Sequence, residues 1–146
     1  MATVPKGIAH RSHSTLWSVV MLLEGIFPFT RRDGDRRMPV ASGDEAHLEQ
    51  VNLAEESRKL YQPFTPVNLI AVDDFMMRMI LVQGEGRPHR HQKRSELFFV
   101  HEGVVQLQTE EGDVTLEEGE ITVVPREVEH RLVAGDRAIL LLFARS

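Results

Sequence analysis

The sequence predicts an all-β domain, either a sandwich or a barrel, on three observations. Short apolar segments recur along the second half of the chain, and turns rich in glycine, aspartate and glutamate separate them at regular intervals. Helical periodicity does not continue past Val67. Short, evenly spaced strands are typical of all-β sandwiches and barrels. No internal repeat or low-complexity tract in the sequence favours another class.

A short helix is expected before the first strand. Asn52 followed by Glu55 is a capping pair that marks a helix start, and the segment LAEESRKLY continues it for about two turns. Because proline cannot continue a helix, we expect this helix to end before Pro63.

The first strand is predicted over residues 75–82. Its sequence, FMMRMILV, is apolar except for Arg78, which suits a strand with both faces mostly buried. A buried helix is the alternative interpretation. Gly84 and Gly86 end the apolar run after about eight residues, however, and that length favours a strand.

The later strands are separated by polar turns. The turn EEGD at residues 110–113 joins two apolar segments and predicts a β-hairpin, and AGDR at 134–137 predicts a turn between the last two strands. These strands are predicted at residues 97–100, 104–109, 114–116, 121–124, 130–133 and 138–143.

Length and composition limit the possible functions. The chain has 146 residues, enough for one hydrophobic core, and its formal net charge of -5 offers no general attraction to nucleic acid or to an anionic membrane. It contains no cysteine, so any metal must be held by nitrogen and oxygen ligands. The absence of disulfides is compatible with the cytoplasm, where we expect this protein.

We expect residues 1–47 to be an extension or linker and residues 48–146 to form the domain. Residues 16–29 are apolar, but Glu24 and Pro28 interrupt them, which argues against a signal or membrane anchor. The charged stretch that follows resembles a linker, and Met38 is a plausible internal start, so the extension is interpreted as disordered or as the product of a misassigned start. An irregular segment that packs on the domain is the alternative.

Three histidines and one glutamate form the candidate site. His89 and His91 are two residues apart and would share one face of a strand. Glu96 has the parity of Phe98 and Val100, and His130 that of Leu132, so all four side chains are expected to face the core. A buried carboxylate is costly without a partner, and a divalent cation is a partner that makes it tolerable.

The four residues predict a metal site only as a set. A lone HxH is weak evidence, because surface histidines at that spacing are common. Three imidazoles and one carboxylate suit a divalent transition metal, and they do not select among Fe, Mn, Zn, Ni and Co. On a six-coordinate ion they would leave two positions for water, substrate or dioxygen.

Two stretches carry a family resemblance: GEGRPHRHQKRSELFFVHEG at residues 84–103 and GEITVVPREVEH at 119–130. They resemble the two motifs of the cupin superfamily, in particular its small single-domain type, cupin type-2 and mannose-6-phosphate-isomerase-like. The resemblance implies a double-stranded β-helix, the jelly-roll barrel also called RmlC-like. It also implies a metal ion bound by His89, His91, Glu96 and His130.

The second motif departs from the family pattern at two positions. Glu127 stands where the family usually has glycine, and Ala134 where it often has asparagine. If residue 127 requires a positive φ, glutamate makes the turn before His130 less favourable. The position of His130 is therefore the least secure of the four.

Several functions are compatible with this site. The leading hypothesis is a divalent metal site open to a small organic ligand. The alternatives are a metal-dependent sugar-phosphate isomerase or epimerase, an iron dioxygenase, and a non-catalytic ligand-binding or metal-braced structural protein. An isomerase needs an acid or base, and the candidates, His101, Glu102, Glu127 and Glu129, are weak. His101 should point away from the metal by strand parity, and the loop carboxylates Glu127 and Glu129 are of a kind that is usually solvated.

The expected partners are a small molecule and a second copy of the chain. Arg87, Arg94 and Arg126 lie in predicted loops and could contact an anionic substrate, although solvated arginines are the commoner case. Arg90 and Arg131 should point outward from the neighbouring histidines. The apolar strand at 75–82 suggests a homodimer, and small cupins are often dimers.

Overall fold

The computed structural model describes residues 2, 4, 11–23, 49–72 and 75–145. Contacts divide the chain into two units, residues 2–50 and residues 51–146. In the first unit, residues 11–23 form neither helix nor strand, and most of the predicted extension lies outside the described residues. The domain start at residue 48 stays a prediction. No helix in the described part of the chain is long and apolar enough to span a bilayer.

The predicted helix is present as α1, Leu53–Lys59, and is slightly shorter than expected. The Asn52 side-chain oxygen accepts hydrogen bonds from the backbone N–H groups of Ala54 at 3.1 Å and Glu55 at 3.2 Å. Acidic residues occupy the first turn and basic residues the last, which matches the helix dipole. Leu60 then has an extended backbone conformation and ends the helix.

Seven antiparallel strands make up the rest of the domain, which confirms the all-β jelly-roll fold. The hydrogen-bonded order is β1-β2-β7-β3-β6, and β4 joins β5 to β7. Among the described residues this path stays open and does not close into a ring. The strands are β1 Val67–Val72, β2 Phe75–Glu85, β3 Glu96–Glu102, β4 Val105–Thr109, β5 Val114–Leu116, β6 Ile121–Val124 and β7 His130–Arg145.

Strand β7 was predicted as two strands, and this prediction is wrong. It runs without a break, pairing with β4 through residues 130–133 and with both β2 and β3 further along. The predicted turn at 134–137 is instead an irregular part of the continuous strand. The pairing steps from Val82–Ala138 to Gly84–Ala134, so residues 135–137 of β7 lie opposite a single residue of β2, and the ladder resumes on either side of this bulge.

Strand β1 was not predicted. It pairs with β2 at one end of the strand order, and Val67 and Asn68 are exposed. An edge strand of this kind lacks the clear alternation of apolar and polar residues that identifies a half-buried strand in a sequence. Only its pairing with β2 defines it.

The core confirms the predicted burial of β2 and β3. Met79 and Val82 are fully buried, as expected for a strand covered on both faces. Because β2 is covered within the chain, its apolar character needs no second copy to explain it; a homodimer stays a prediction. The main core cluster consists of Ile80, Val82, Phe98, Val100, Val105, Leu107, Leu116, Val124, Leu132, Ala134, Ala138 and Leu140.

Gly103, the last glycine of the first motif, ends β3 with a φ of +81°. A Cβ atom at this position would lie 2.9 Å from the Arg137 carbonyl oxygen and 3.1 Å from the Ala138 Cα. Both the backbone angle and the close approach of β7 therefore require glycine.

A polar network joins the helix to the end of β3. The Ser57 hydroxyl donates to a Glu102 oxygen at 2.8 Å, and the Arg137 guanidinium donates to the other oxygen at 2.8 Å and to the Ser57 carbonyl at 2.7 Å. The Ser57 hydrogen bond, partly opposed by burial and reinforced by Arg137, lowers the pKa of Glu102. Ionised Glu102 thus helps to hold α1 against the strands.

We expect Glu102→Gln to flatten the acid side of the stability profile. Since the pKa of Glu102 is lower in the folded than in the unfolded protein, its stabilisation is present above the ordinary carboxyl pKa and is lost as pH falls through the folded-state value. Urea unfolding between pH 3 and 7 measures this slope. Glu118→Gln, in an exposed turn, is the control, and equal slopes in both variants would contradict the assignment.

Candidate metal centre

The backbone places His89 and His130 side by side. Each residue's N–H donates to the other's carbonyl oxygen at 2.9 Å, forming an isolated antiparallel bridge. His130 opens β7, whereas His89 and His91 lie in the connection between β2 and β3. The expectation that His89 and His91 share a regular strand is therefore wrong: only the bridge at His89 is strand-like.

The structure brings together all four residues singled out in the sequence. One ligand atom from each of His89, His91, Glu96 and His130 lies within 4.8 Å of the others. The His91 Nε2 atom is 3.1 Å and the His130 Nε2 atom 3.7 Å from the same Glu96 oxygen. Glu96 and His130 are buried, with 4% and 2% of their surface exposed, as strand parity predicted. His91 is only partly buried and His89 is exposed, so the prediction that all four side chains face the core is wrong for His89.

Backbone carbonyls orient two of the imidazoles. His89 Nδ1 lies 3.1 Å from the Arg87 carbonyl oxygen, and His130 Nδ1 lies 3.0 Å from that of Val128. A carbonyl can only accept a hydrogen bond, so each Nδ1 carries the proton. In the neutral form of each ring the Nε2 lone pair is then free, which is the usual arrangement of metal-binding histidines.

Two nitrogens in the cluster are buried without a hydrogen-bond partner. They are the Nε2 atoms of His91 and His130, because their approach to Glu96 lacks hydrogen-bond geometry. Buried polar atoms in native proteins are almost always satisfied. A cation between these nitrogens and the carboxylate would satisfy them together, so the residues present fit a metal ion.

Comparison with known proteins agrees with this geometry. Residues 76–144 match the model of the cupin domain family. A cupin-2 domain containing protein from Shewanella frigidimarina NCIMB 400 is 26% identical with a TM-score of 0.64, over 66% of this chain and 94% of that one. The chain belongs to the cupin superfamily. It is a member of the type-2 group.

Other solved structures support the cupin fold. Protein NMB1881 from Neisseria meningitidis is 26% identical with a TM-score of 0.62, over 67% of this chain and all of that one. The hydroquinone 1,2-dioxygenase PnpCD, solved with Cd²⁺ and 4-hydroxybenzonitrile, is 15% identical with a TM-score of 0.57, over 65% of this chain and 71% of that one. At this identity the dioxygenase shows the fold alone. Among curated proteins, none matches the sequence.

Burial and mutual contacts set the protonation of the cluster in this cupin. Burial lowers the pKa of His91 despite the nearby Glu96. Burial alone would raise the pKa of Glu96, but His130, His91 and Arg94 lower it overall. Burial alone would likewise lower the pKa of His130, but Glu96 and the Val128 carbonyl raise it. At 3.7 Å the attraction between His130 and Glu96 is one of charge, since this distance is too long for a hydrogen bond.

Glu127 has the left-handed conformation that its place in the second motif suggested. Its φ is +71°, and its N–H donates to the His91 carbonyl oxygen at 2.8 Å. His130 nevertheless reaches the cluster, because its pairing with His89 fixes the start of β7. The turn therefore tolerates glutamate and connects the two motifs through the His91 backbone.

We expect Glu127→Gly to stabilise this cupin by about 0.5–1 kcal/mol, because glycine adopts a positive φ without the steric cost of a side chain. Thermal and urea unfolding of the metal-free protein measure the change. Glu118→Gly is the control, because Glu118 lies in another exposed turn but does not have a positive φ. This substitution should be neutral or destabilising. A Glu127→Gly variant that is no more stable than Glu118→Gly would contradict the idea that the positive φ of Glu127 is strained.

A pocket of about 500 Å³ opens onto the cluster. Its walls combine apolar side chains with three arginines, Arg78, Arg87 and Arg94. Of the loop arginines predicted to meet a substrate, Arg87 and Arg94 line the pocket and Arg126 does not. The lining residues are Phe64, Pro66, Arg78, Ile80, Glu85, Gly86, Arg87, His89, His91, Arg94, Glu96, Phe98, Leu132 and Leu142.

The four acid–base candidates of the sequence lie outside the pocket lining: His101, Glu102, Glu127 and Glu129. His101 is half-buried instead of fully at the surface, and its nearest carboxylate is Glu102 at 3.7 Å.

Arg90 and Arg131 point away from the cluster, as predicted. They form ion pairs at 3.1 Å with Glu129 and Glu85 respectively.

Sequence reasoning missed two charged residues of the pocket, Arg78 and Glu85. Arg78 shares the pocket-facing side of β2 with Ile80, two positions along, so strand parity was a signal that could have identified it. Glu85 lies beyond the register shift between β2 and β7, where parity from the earlier residues no longer applies.

Proposed function

We propose that this cupin binds a divalent transition-metal ion through His89, His91, Glu96 and His130, and that the ion presents open positions to a small organic ligand in the adjoining pocket. The observation that carries the proposal is the pair of buried, unpartnered Nε2 atoms facing one buried carboxylate at the pocket. Such atoms are costly unless a hydrogen-bond partner or a cation satisfies them, and a cation would satisfy both nitrogens and the carboxylate together.

The donor set restricts the ion. Three imidazoles and one carboxylate suit Fe, Mn, Co, Ni or Zn, and are not the all-oxygen shell that Ca²⁺ and Mg²⁺ prefer. When bound, the ion would supply Lewis-acid or redox chemistry. The protein residues would hold it, fix the tautomers through backbone carbonyls, and exclude water with the apolar wall.

Ligand binding is better supported than proton-transfer catalysis. Among the described residues that line the pocket, Glu85 is the one further titratable residue besides the metal cluster and the arginines. It is largely exposed and already paired with Arg131. The sugar-phosphate isomerase and epimerase hypotheses need a well-placed acid or base, so this arrangement disfavours them.

Cobalt spectroscopy with azide tests whether the site is open. The full-length protein loaded with one equivalent of Co²⁺ is titrated with azide while the visible absorption is recorded. We expect azide to occupy an open position and shift the cobalt bands. Bands that do not respond would indicate a closed, purely structural site and would overturn the proposal of an open one. Zn²⁺-loaded protein, which has no bands of this kind, is the control.

A further inference from the structure

We infer that the pocket selects a small organic anion, namely an apolar body bearing a carboxylate, and that Arg78, Arg87 and Arg94 receive the carboxylate. The inference rests on the proposed function, because it names the class of ligand that would occupy the pocket. The arginines, their partners and the apolar wall support it independently.

The arginines in the pocket differ from those elsewhere in the domain. Arg90, Arg131 and Arg137 each form an ion pair of 3.1 Å or less with a glutamate. Arg78 instead donates from Nε to the Asn68 amide oxygen at 3.1 Å. Arg87 forms no side-chain hydrogen bond or ion pair with any described residue.

Arg94 is the most constrained of the pocket arginines. Its Nη1 atom donates to the Arg145 carbonyl oxygen at 3.3 Å, its Nη2 atom lies 3.7 Å from a Glu96 oxygen, and its Nε atom is buried without a hydrogen-bond partner. A buried donor on a guanidinium calls for an acceptor. The Arg94 side chain is 32% exposed and lines the pocket, so the guanidinium can contact an anion bound beside Glu96.

The charge of the pocket opposes that of the whole chain. The chain has a formal net charge of -5. The pocket is lined by three arginines and two glutamates, and one of these, Glu85, pairs with Arg131. A divalent ion at the cluster would add positive charge beside Glu96. A concave, low-dielectric site of positive potential in an acidic protein favours anions at that site.

The remaining wall defines the uncharged part of the ligand. Phe64, Ile80, Phe98, Leu132 and Leu142 line the pocket. Phe64 has a φ of 57°, uncommon for a bulky residue. Its ring occupies the space beside Gly86, where a Cβ atom would lie only 3.0 Å away. A volume of about 500 Å³ with apolar walls accommodates a small aromatic or aliphatic body.

Benzoate and benzamide are matched probes, because they share a ring and differ in charge. Isothermal titration calorimetry with the Zn²⁺-loaded, full-length protein is expected to show benzoate binding at least about 10-fold more tightly than benzamide. Arg87→Gln should weaken benzoate binding by about 10-fold, the usual consequence of losing a charge-assisted hydrogen bond. Arg90→Gln, whose arginine pairs with Glu129 outside the pocket, should leave it unchanged.

The same experiment separates failure of this inference from failure of the proposed function. Zinc content, measured on every variant, reports the metal site. Full zinc content with equal affinity for benzoate and benzamide, or with equal benzoate affinity in Arg87→Gln and the parent, would overturn the anion inference alone. Absence of bound zinc in the parent would overturn the proposed metal site. The effect of Arg87→Gln on benzoate affinity is then measured by titrating the metal-free protein.

Discussion

Replacing His91 with alanine is expected to weaken divalent-metal binding on the order of 100-fold and to leave the melting temperature of the metal-free protein nearly unchanged. His91 lies outside the strands, its side chain is a quarter exposed, and its Nε2 atom has no hydrogen-bond partner. The substitution therefore removes a proposed ligand without opening a core cavity. Competition titrations with a chromophoric chelator measure the affinity.

His101→Ala is the matched control, because His101 is also half-buried but does not line the pocket. It should keep the metal affinity of the parent. Equal affinities in the parent and His91→Ala would remove His91 from the ligand set. A large fall in the melting temperature of metal-free His91→Ala would indicate instead that the residue acts mainly in folding.

Phe98→Ala is expected to cost about 3–5 kcal/mol of unfolding free energy, the largest effect of any single change considered. Phe98 is 1% exposed, belongs to the main core cluster, and also lines the pocket. Its ring centroid is 5.9 Å from that of His130, in an edge-on arrangement. The substitution would remove the packing that supports His130, so we expect metal affinity to fall as well.

Phe99→Ala separates burial from the loss of an aromatic ring. Phe99 is the next residue in β3, faces the opposite side and is only half-buried. Urea unfolding should show a clearly smaller loss than in Phe98→Ala. Equal losses in the two variants would contradict the assignment of the core to the face that carries Glu96.

Much of the candidate site could be predicted because strand parity links two of its residues, Glu96 and His130, to the core. Glu96 shares a face with Phe98 and Val100, and all three are buried as expected. His130 was the least secure residue, and its position depends on a backbone bridge with His89 that no local pattern encodes. Spacing alone could not show that the connection carrying His89 is not a regular strand.

The remaining differences arise from contacts between distant segments. The continuity of β7 depends on a register shift in its pairing with β2, which places residues 135–137 in a bulge, and a single sequence does not show this pairing. Turn residues such as Gly135 indicate a change of direction, but they cannot distinguish a bend from a break. The arginine-lined pocket likewise depends on the approach of β2, the β2–β3 connection and the start of β3.

Elemental analysis tests the central claim most directly. The full-length protein and the His89→Ala variant are purified without added metal or chelator, and transition metals are measured by mass spectrometry. We expect the parent to carry up to about one ion of Fe, Mn, Co, Ni or Zn per chain and the variant to carry little or none. A parent that carries none of these metals and does not take them up on titration, or a variant that keeps the same amount, would contradict the assignment of His89, His91, Glu96 and His130 as a metal centre.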